Sequence, residues 1–255
     1  MSMNLSAGWM SQEFTHKRPL DCIKESLMAE LEIMGFHSFT YDAIPFRIFD
    51  DINAPAADRL FKLSHIATAK TSLASSEDEF KLYKHYLGIM KESNVIPKKQ
   101  QLFERPNVEF MNSREKARRG RDNNYNSAIT WPISAFCSSE WGATFFLKSW
   151  RQETDMALWF EHKGAELGKL LFGYHLELML HYRDQFNPYL QLGAFSKKTL
   201  SIIRLAANGY SGRQIGEQLC ITERGVDYHI EQLKQKLQAR NRLHLIKIAE
   251  KLEIT

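Results

Sequence analysis

Cysteine and long apolar runs are both scarce in this sequence of 255 residues. Its three cysteines, Cys22, Cys137 and Cys220, are odd in number and far apart, which argues against a disulfide framework or a zinc ribbon. No run reaches the roughly 18 apolar residues that a membrane-spanning helix needs. The opening stretch, MSMNLSAGWMSQEFTHKRPL, lacks the charged-then-apolar order of a signal peptide. We therefore expect a cytoplasmic protein.

Groups of residues typical of catalysis are also missing. The sequence has no nucleophile elbow and no phosphate-cradling glycine loop. Glu177 and His181 fall on one helical face, but no third ligand is spaced to complete a metal site, so we interpret them as a surface pair. Cys137 has no nearby histidine and is expected in a loop. The sequence therefore predicts no enzyme, no metal site and no cofactor.

Positive charge is concentrated in the last quarter of the chain. From Phe195 onward there are eleven Lys and Arg against six Asp and Glu, a net charge of +5. Residues 1–194 hold 23 basic and 24 acidic residues, a net charge of −1. Such an asymmetry favours contact with nucleic acid, although a solvated basic face is the common alternative.

A change of pattern between residues 184 and 195 indicates a domain boundary. The stretch DQFNPYLQLGAF contains an Asn-Pro step and a lone glycine, and it has no helical periodicity. Periodic apolar patterns lie on both sides of it. We predict a sensor-like domain over residues 1–184, a linker over 185–195, and a second domain over 196–255.

The last sixty residues predict an all-α domain of four helices. Ser196, Thr222 and Asn241 are suited to cap the first, third and fourth helices, and Ser211 with Gln214 forms a capping box for the second. Apolar residues recur at helical spacing and are expected to face inward. These are Leu200, Ile203 and Ala207, then Ile215 and Leu219, then Val226, Ile230, Leu233 and Leu237, and finally Ile246, Ala249 and Leu252.

The second and third helices have the spacing of a helix-turn-helix. The turn falls at Cys220 and Ile221, and Gly216 allows the two helices to approach closely. The exposed side of the third helix would then face base edges in a major groove, with nearby cations on phosphates. On periodicity alone, a helical bundle without any role in DNA binding fits equally well. The residues expected to contact double-stranded DNA are Arg213, Gln214, Thr222, Arg224, Asp227, Tyr228, Lys234 and Lys236.

This region resembles the LuxR-type (GerE-like) DNA-binding domain without needing a gap. One departure concerns the first helix, where Thr199 and Ser201 replace paired glutamates of the family, which affects local stability more than DNA binding. The resemblance implies a transcription regulator rather than an enzyme. It is carried by Gly209, Ser211, Ile215, Leu219, Ile221, Thr222, Val226, His229, Leu237, Asn241 and Arg242.

The larger domain is predicted to be α+β, with an antiparallel sheet flanked by helices. Two strands, SAITWPISAF and WGATFFLKS, are joined by a short polar segment that is typical of a hairpin. HSFTYDAIPF is a third candidate strand. Helices are expected over residues 20–36, 57–66, 78–92 and 153–184.

The hairpin resembles the autoinducer-binding domain of LuxR-type regulators, in which a Pro-containing strand leads to a Gly-containing one. The resemblance implies a pocket for an acyl-homoserine lactone between the sheet and helices. Simple core packing of the aromatic residues, Trp131 among them, is the alternative. The predicted pocket residues are Tyr41, Tyr83, Leu87, Ile96, Phe110, Ala128, Thr130 and Trp141.

The predicted pocket departs from the family at the residue that accepts the amide N–H of the ligand. Ile96 stands where the family has an aspartate, and it cannot accept a hydrogen bond. A buried amide left unpaired costs about 1–3 kcal/mol. Leu87 and Ala128 also replace a customary tyrosine and glycine. We therefore expect an orphan sensor whose lactone site is altered or absent, and whose signal, if it has one, is a small apolar molecule.

The long helix carries more apolar positions than one buried face needs. Leu158, Leu170, Leu176 and Leu180 lie off its main stripe, which predicts a homodimer, with packing inside the domain as the alternative. The basic run at residues 114–123 could touch DNA or a partner, but a solvated loop is favoured. Two other functions remain open: an enzyme with a fused regulatory domain, and an adaptor whose large domain docks a protein.

Overall fold

A computed structural model describes residues 17–47, 60–61, 72–93, 105–110, 125–134 and 140–255. Several predicted features lie outside these residues. They are most of the helix predicted at 57–66, the side chain of Leu87, Ile96, the basic run at 114–123, and Cys137.

The larger domain contains three helices and five strands within its described part. The helices and strands predicted there are confirmed, with shifts of a few residues at their ends. Gly35, which follows the first helix, has φ +86°, a left-handed conformation suited to glycine. The elements are α1 (Leu20–Ile33), β1 (Phe36–Pro45), β2 (Ser72–Ala74), α2 (Glu77–Ser93), β3 (Asn107–Phe110), β4 (Ser127–Ser134), β5 (Trp141–Ser149) and α3 (Glu153–Phe186).

The five strands form one antiparallel sheet in the order β2-β1-β5-β4-β3. The predicted hairpin is present, with Ser134 opposite Gly142 and Ser127 opposite Ser149. β1 lies on the other side of β5, and their pairing runs from Phe36 to Pro45. The sheet and its helices confirm the α+β class.

Alternate residues of each strand point to opposite faces of this sheet. One face, which we call the inner face, packs against α1 and α3 and is apolar, with Phe39, Tyr41 and Phe145 buried on it. The opposite face, which we call the polar face, buries hydroxyl and charged side chains. Its buried polar residues include Ser38, Thr40, Asp42, Thr130, Thr144 and Lys148.

The long helix α3 spans 34 residues and has a kink near its end. Tyr182 departs from helical geometry with φ −133° and ψ 17°. The apolar spacing of α3 predicts a main stripe of Met156, Phe160, Leu167, Leu171, Tyr174 and Leu178. Five of these residues are buried, and Phe160 is half-buried. Of the four residues predicted off the stripe, Leu158 and Leu180 are exposed, whereas Leu170 and Leu176 are half-buried.

The segment predicted as a linker is folded against the rest of the chain. It forms the short helix α4 (Pro188–Gln191), whose N-cap Asn187 accepts a hydrogen bond from the Tyr189 N–H. The following turn contains Gly193 with φ +68°. Seven residues of the segment are buried: Phe186, Asn187, Pro188, Tyr189, Leu192, Ala194 and Phe195. It therefore holds the two domains at a packed corner.

The C-terminal domain consists of four helices, as predicted. All four predicted N-caps are confirmed, including the capping box at Ser211 and Gln214. The helices are α5 (Lys197–Ala207), α6 (Gly212–Leu219), α7 (Glu223–Lys236) and α8 (Arg242–Lys251).

The buried faces of α5 and α8 are rotated slightly from the predicted ones. In α5 the buried residues are Ile202, Ile203 and Ala206, whereas Leu200 and Ala207 are half-buried. In α8, Leu245 is buried more deeply than Ile246. Each helix contacts two or more others, so a single apolar stripe does not define its burial. Among the described helices, none has the length and hydropathy needed to cross a membrane.

Candidate nucleic-acid interface and sensor face

A tight turn separates α6 from α7. Cys220 adopts a left-handed conformation with φ 53°, and the Ile221 N–H donates to the Gly216 carbonyl at 2.9 Å. A Cβ atom on Gly216 would lie 2.7 Å from the Ile221 carbonyl oxygen, closer than side chains normally approach. The glycine therefore permits the close helix crossing that the sequence predicted.

Two predicted DNA-contact residues hold the ends of these helices. The Gln214 Oε1 atom accepts hydrogen bonds from the Ser211 N–H at 2.9 Å and from the Ser211 hydroxyl at 3.0 Å. The Thr222 Oγ1 atom accepts from the Gly225 N–H at 3.1 Å. These side chains stabilise the N-termini of α6 and α7, so any contact with a phosphate would compete with their capping role.

The outward face of α7 presents side chains suited to reading bases. Arg224 and Asp227 are exposed, and Tyr228 has 62% of its surface accessible. A guanidinium can donate two hydrogen bonds to guanine, and a carboxylate can accept one from cytosine. This face therefore has donors and acceptors in the first turns of the helix, where a recognition helix meets base edges.

Two carboxylates lie beside the N-terminus of α6. A Cβ atom on Gly212 would be 3.3 Å from Glu223 Oε1 and 3.7 Å from Asp227 Oδ1. Negative charge is favourable at a helix N-terminus because the first N–H groups carry partial positive charge. The Asp227 side chain is therefore exposed, and its carboxylate also lies where negative charge stabilises the N-terminus of α6.

The predicted phosphate-binding cations each have an intramolecular partner. Arg213 Nε lies 3.0 Å from Glu217 Oε1, and Lys234 Nζ lies 2.8 Å from Glu231 Oε1. Such pairs contribute little when exposed, and a phosphate could replace the carboxylate. Lys236 differs, because its ammonium donates to the Ala194 carbonyl at 2.7 Å and lies 5.7 Å from the centre of the Phe195 ring. The Lys236 ammonium therefore contacts the connecting segment at Ala194 and Phe195.

An open cleft of about 460 Å³ adjoins Lys236. It separates the start of α5 from the C-terminal half of α7. Sequence reasoning did not identify this cleft, nor the exposed Lys197 and Lys198 at its edge. Its lining is mostly polar and comprises Ala194, Phe195, Ser196, Thr199, Gln232, Leu233, Gln235, Lys236 and Gln238.

The predicted ligand-pocket residues do not share one side of the sheet. Tyr41, Trp141 and Phe110 belong to the apolar core on the inner face. Ala128 and Thr130 alternate with Ile129 and therefore point to the polar face. Tyr83 reaches the polar face from α2. The structure thus divides the described members of the predicted pocket into two groups on opposite sides of the sheet.

Tyr41 pairs with a buried histidine that sequence reasoning missed. Its hydroxyl lies 3.0 Å from His175 Nδ1, and no partner for His175 Nε2 lies within the part of the chain that the structure describes. Burial lowers the pKa of His175 to about 4 and raises that of Tyr41. Both groups are therefore neutral at neutral pH, as expected of core residues.

The polar face holds a network between the sheet and α2. The Tyr83 hydroxyl donates to Asp42 Oδ2 at 2.5 Å, and the Ser72 hydroxyl donates to Asp42 Oδ1 at 3.0 Å. Lys148 Nζ lies 2.6 Å from Glu79 Oε1, with these side chains only 5% and 10% exposed. The period-two alternation of polar residues in HSFTYDAIPF is a signal from which Asp42 could have been identified.

Glu177 is not a surface partner of His181, contrary to the prediction. It is buried, and its carboxylate accepts two hydrogen bonds from the Arg18 guanidinium, one of them at 2.7 Å from Nε. This bond raises the pKa of Arg18 above its usual value. No group of three potential metal ligands occurs among the described residues.

Comparisons with known proteins place the helical domain in a family. Residues 194–249 match the family model GerE, described as bacterial regulatory proteins, luxR family. No curated protein matches the chain by sequence.

The solved structures that are similar over most of the chain include two of the same protein. One is Escherichia coli SdiA, with 12% identity, 94% of each chain covered and a TM-score of 0.46. The other is SdiA in complex with octanoyl-rac-glycerol, with 11% identity, 94% of this chain and 91% of that chain covered, and a TM-score of 0.45.

The match to the luxR family falls on the helices that form the tight turn, and it spans α5, α6, α7 and most of α8. We conclude that the last quarter of this chain carries the helix-turn-helix domain of LuxR-type bacterial transcription regulators.

Proposed function

We propose that this chain regulates transcription in the cytoplasm by binding double-stranded DNA through α7, as a homodimer. The observation that carries the proposal is the exposed first half of α7, held beyond the tight turn in a domain that matches the luxR family. A single helix-turn-helix reads few base pairs, and such domains therefore act in pairs on two half-sites. The exposed Leu158 and Leu180 of α3 are suited to the contact between two copies.

Selection from a random DNA library tests this function. The purified chain should enrich sequences with two half-sites, and its affinity for them should fall as salt rises because phosphate contacts release counterions. If nothing is enriched and the affinity does not change with salt, the chain is not a sequence-specific DNA-binding protein.

We propose further that the larger domain is an orphan sensor without the acyl-homoserine lactone site of its family. The polar face supports this proposal. Asp42 and Lys148 are buried there and satisfied by Tyr83, Ser72 and Glu79. An acyl chain that displaced any of these partners would leave a buried charge unpaired, which is costly.

Thermal unfolding with added ligand tests the orphan role. Acyl-homoserine lactones of any chain length should leave the melting temperature nearly unchanged, because a ligand stabilises only in proportion to its binding. The double substitution Ile96→Asp with Leu87→Tyr restores the family's polar pair and should gain some lactone-dependent stabilisation. Strong lactone binding by the unaltered chain in calorimetry would contradict the proposal.

A protein-docking adaptor is a second candidate. Ile33 and Trp150 are both exposed on the larger domain, and the Trp150 ring stacks on His37 with 4.1 Å between centroids. Exposed apolar groups of this kind favour a protein partner. Replacing both residues by serine should abolish partner capture in this case and leave DNA binding unchanged.

A further inference from the structure

The segment that follows α8 is buried against the corner between the two domains. Leu252 and Ile254 are both buried, and Glu253 between them has φ 56°, which turns the chain inward. Two backbone carbonyls of this segment accept hydrogen bonds from a residue more than sixty positions earlier in the chain.

That residue is Asn187, at the junction of α3 and α4. Its Nδ2 group donates to the Leu252 carbonyl at 2.9 Å and to the Glu253 carbonyl at 3.0 Å. Its Oδ1 atom accepts from the Tyr189 N–H at 2.8 Å. The side chain is fully buried, and its amide uses donor and acceptor groups together. An apolar residue of similar size would leave two buried carbonyls and one N–H unpaired.

Two further contacts join the same parts of the chain. Arg183 Nη1 lies 3.7 Å from Glu253 Oε1, and the Lys236 ammonium donates to the Ala194 carbonyl. We call the set formed by Arg183, Asn187, Ala194, Lys236 and residues 252–254 the corner junction. It ties the segment after α8 to the end of α3, and the end of α7 to the connecting segment 185–195. A hinge with one contact could rotate, whereas two separated contacts fix an orientation.

The corner junction leaves the outward face of α7 uncovered. Tyr228 is 62% exposed, and Arg224 is exposed one turn earlier. The contacts with the larger domain therefore fix the direction of the recognition helix without hiding it. An arrangement that blocked DNA would bury these side chains.

We propose that Asn187 is a positioning residue that sets the spacing of the DNA half-sites this protein accepts. The inference rests on the proposed function as a DNA-binding homodimer. When two larger domains are joined, two rigid corner junctions hold both copies of α7 at one separation and one rotation. DNA presents equivalent groove faces once per helical turn of about 10.5 base pairs, so a rigid pair selects one spacing. A loosened junction lets each α7 follow its half-site independently.

DNA probes that differ only in half-site spacing test this. The full chain should bind its preferred spacing at least about tenfold more tightly than a probe shifted by half a turn, about five base pairs. Asn187→Leu should bring this ratio close to one and leave the affinity for a single half-site and its base preference unchanged. Asn208→Leu makes the same exchange at an exposed position and should keep the wild-type ratio.

A second variant keeps the test decisive if Asn187→Leu does not fold. Ile254→Ala removes packing from the corner junction without creating an unpaired polar group, and it should also lower the spacing ratio. Circular dichroism and thermal unfolding establish which variants are folded. If folded variants of both kinds keep the wild-type ratio, or if wild type has no preferred spacing, the positioning role is overturned. If wild type does not bind DNA at all, the proposed function fails first, which is a different result.

Discussion

At the scale of single residues, burial determines the charge state of two histidines in the larger domain. His175 is fully buried, and His37 is partly buried beneath the Trp150 ring. Burial lowers the pKa of each to about 4, and the positive charge of Lys148 contributes at His37. The folded chain therefore resists protonation of groups that the unfolded chain protonates near pH 6.5.

This predicts that the protein loses stability in mild acid. Because the folded pKa of His175 lies below its unfolded value, stability is complete above about pH 6.5 and falls as the pH decreases towards 4. The loss from this residue is at most about 3 kcal/mol. Urea unfolding between about pH 7 and about pH 5 measures it, and His175→Gln should reduce the slope. Equal slopes for the two proteins would show that another group dominates.

A second residue-scale prediction separates base reading from phosphate contact. We propose that the Arg224 guanidinium reads a base edge, so Arg224→Ala should cost about 1–3 kcal/mol on the selected site and relax its sequence preference. Arg213→Ala should weaken binding to all sequences alike and reduce the slope of log affinity against log salt by about one. Gel-shift titrations at several salt concentrations measure both. Identical behaviour of the two variants would remove the distinction.

At the scale of elements, the unit formed by α6 and α7 depends on one close backbone approach. Its capping residues and left-handed Cys220 are local features, but the approach of Gly216 to the Ile221 carbonyl requires the two helices to be packed. The three helices packed around α7 hold it by its buried residues. The unit therefore behaves as a rigid piece whose geometry one methyl group can disturb.

Alanine at two glycines tests this element. Gly216→Ala places a Cβ 2.7 Å from a backbone oxygen and should destabilise the helical domain by about 1–3 kcal/mol while weakening DNA binding. Gly173→Ala is the matched control: no atom of the described residues would lie within 4 Å of the added Cβ, and α3 should gain up to about 1 kcal/mol from helix propensity. Denaturant unfolding measures both. A neutral Gly216→Ala would show that the turn can relax.

At the scale of the whole molecule, the larger domain leaves an apolar surface along α3. Leu158, Phe172 and Leu180 are all exposed on it, although the helix already buries a separate apolar stripe within the domain. Apolar residues repeated along one side of a helix favour a partner. The proposed function needs two copies of the chain on two half-sites, so a second copy is the occupant that we propose for this surface.

We therefore predict a dimer in solution that depends on this surface. Leu180→Glu should weaken the dimer, and it suits the test better than Leu176→Glu because Leu176 is half-buried. Ile33→Glu changes a still more exposed residue on α1 and should leave the dimer intact. Sedimentation at micromolar concentration measures both. A wild-type chain that stays monomeric even on DNA would refute the prediction.

Several features of this protein follow from its sequence alone because they depend on neighbours three or four residues apart. Ser211 and Gln214 form their capping box, and Thr222 caps α7, wherever the helices lie in the fold. The stripe Val226, Ile230, Leu233 and Leu237 is buried as its spacing predicts. Capping and apolar periodicity depend on residues close in sequence, so they can be predicted without knowing the tertiary contacts.

Only the tertiary structure decided which residues meet across the chain. Tyr41 and Thr130 looked like members of one pocket, but strand register places them on opposite faces of the sheet. Lys236 was predicted to contact a phosphate, and the fold adds a hydrogen bond from its ammonium to the Ala194 carbonyl. Asn187 looked like part of a linker, yet it binds the segment after α8. These pairings join positions 42 to 66 residues apart or depend on strand register, and no local spacing rule specifies them.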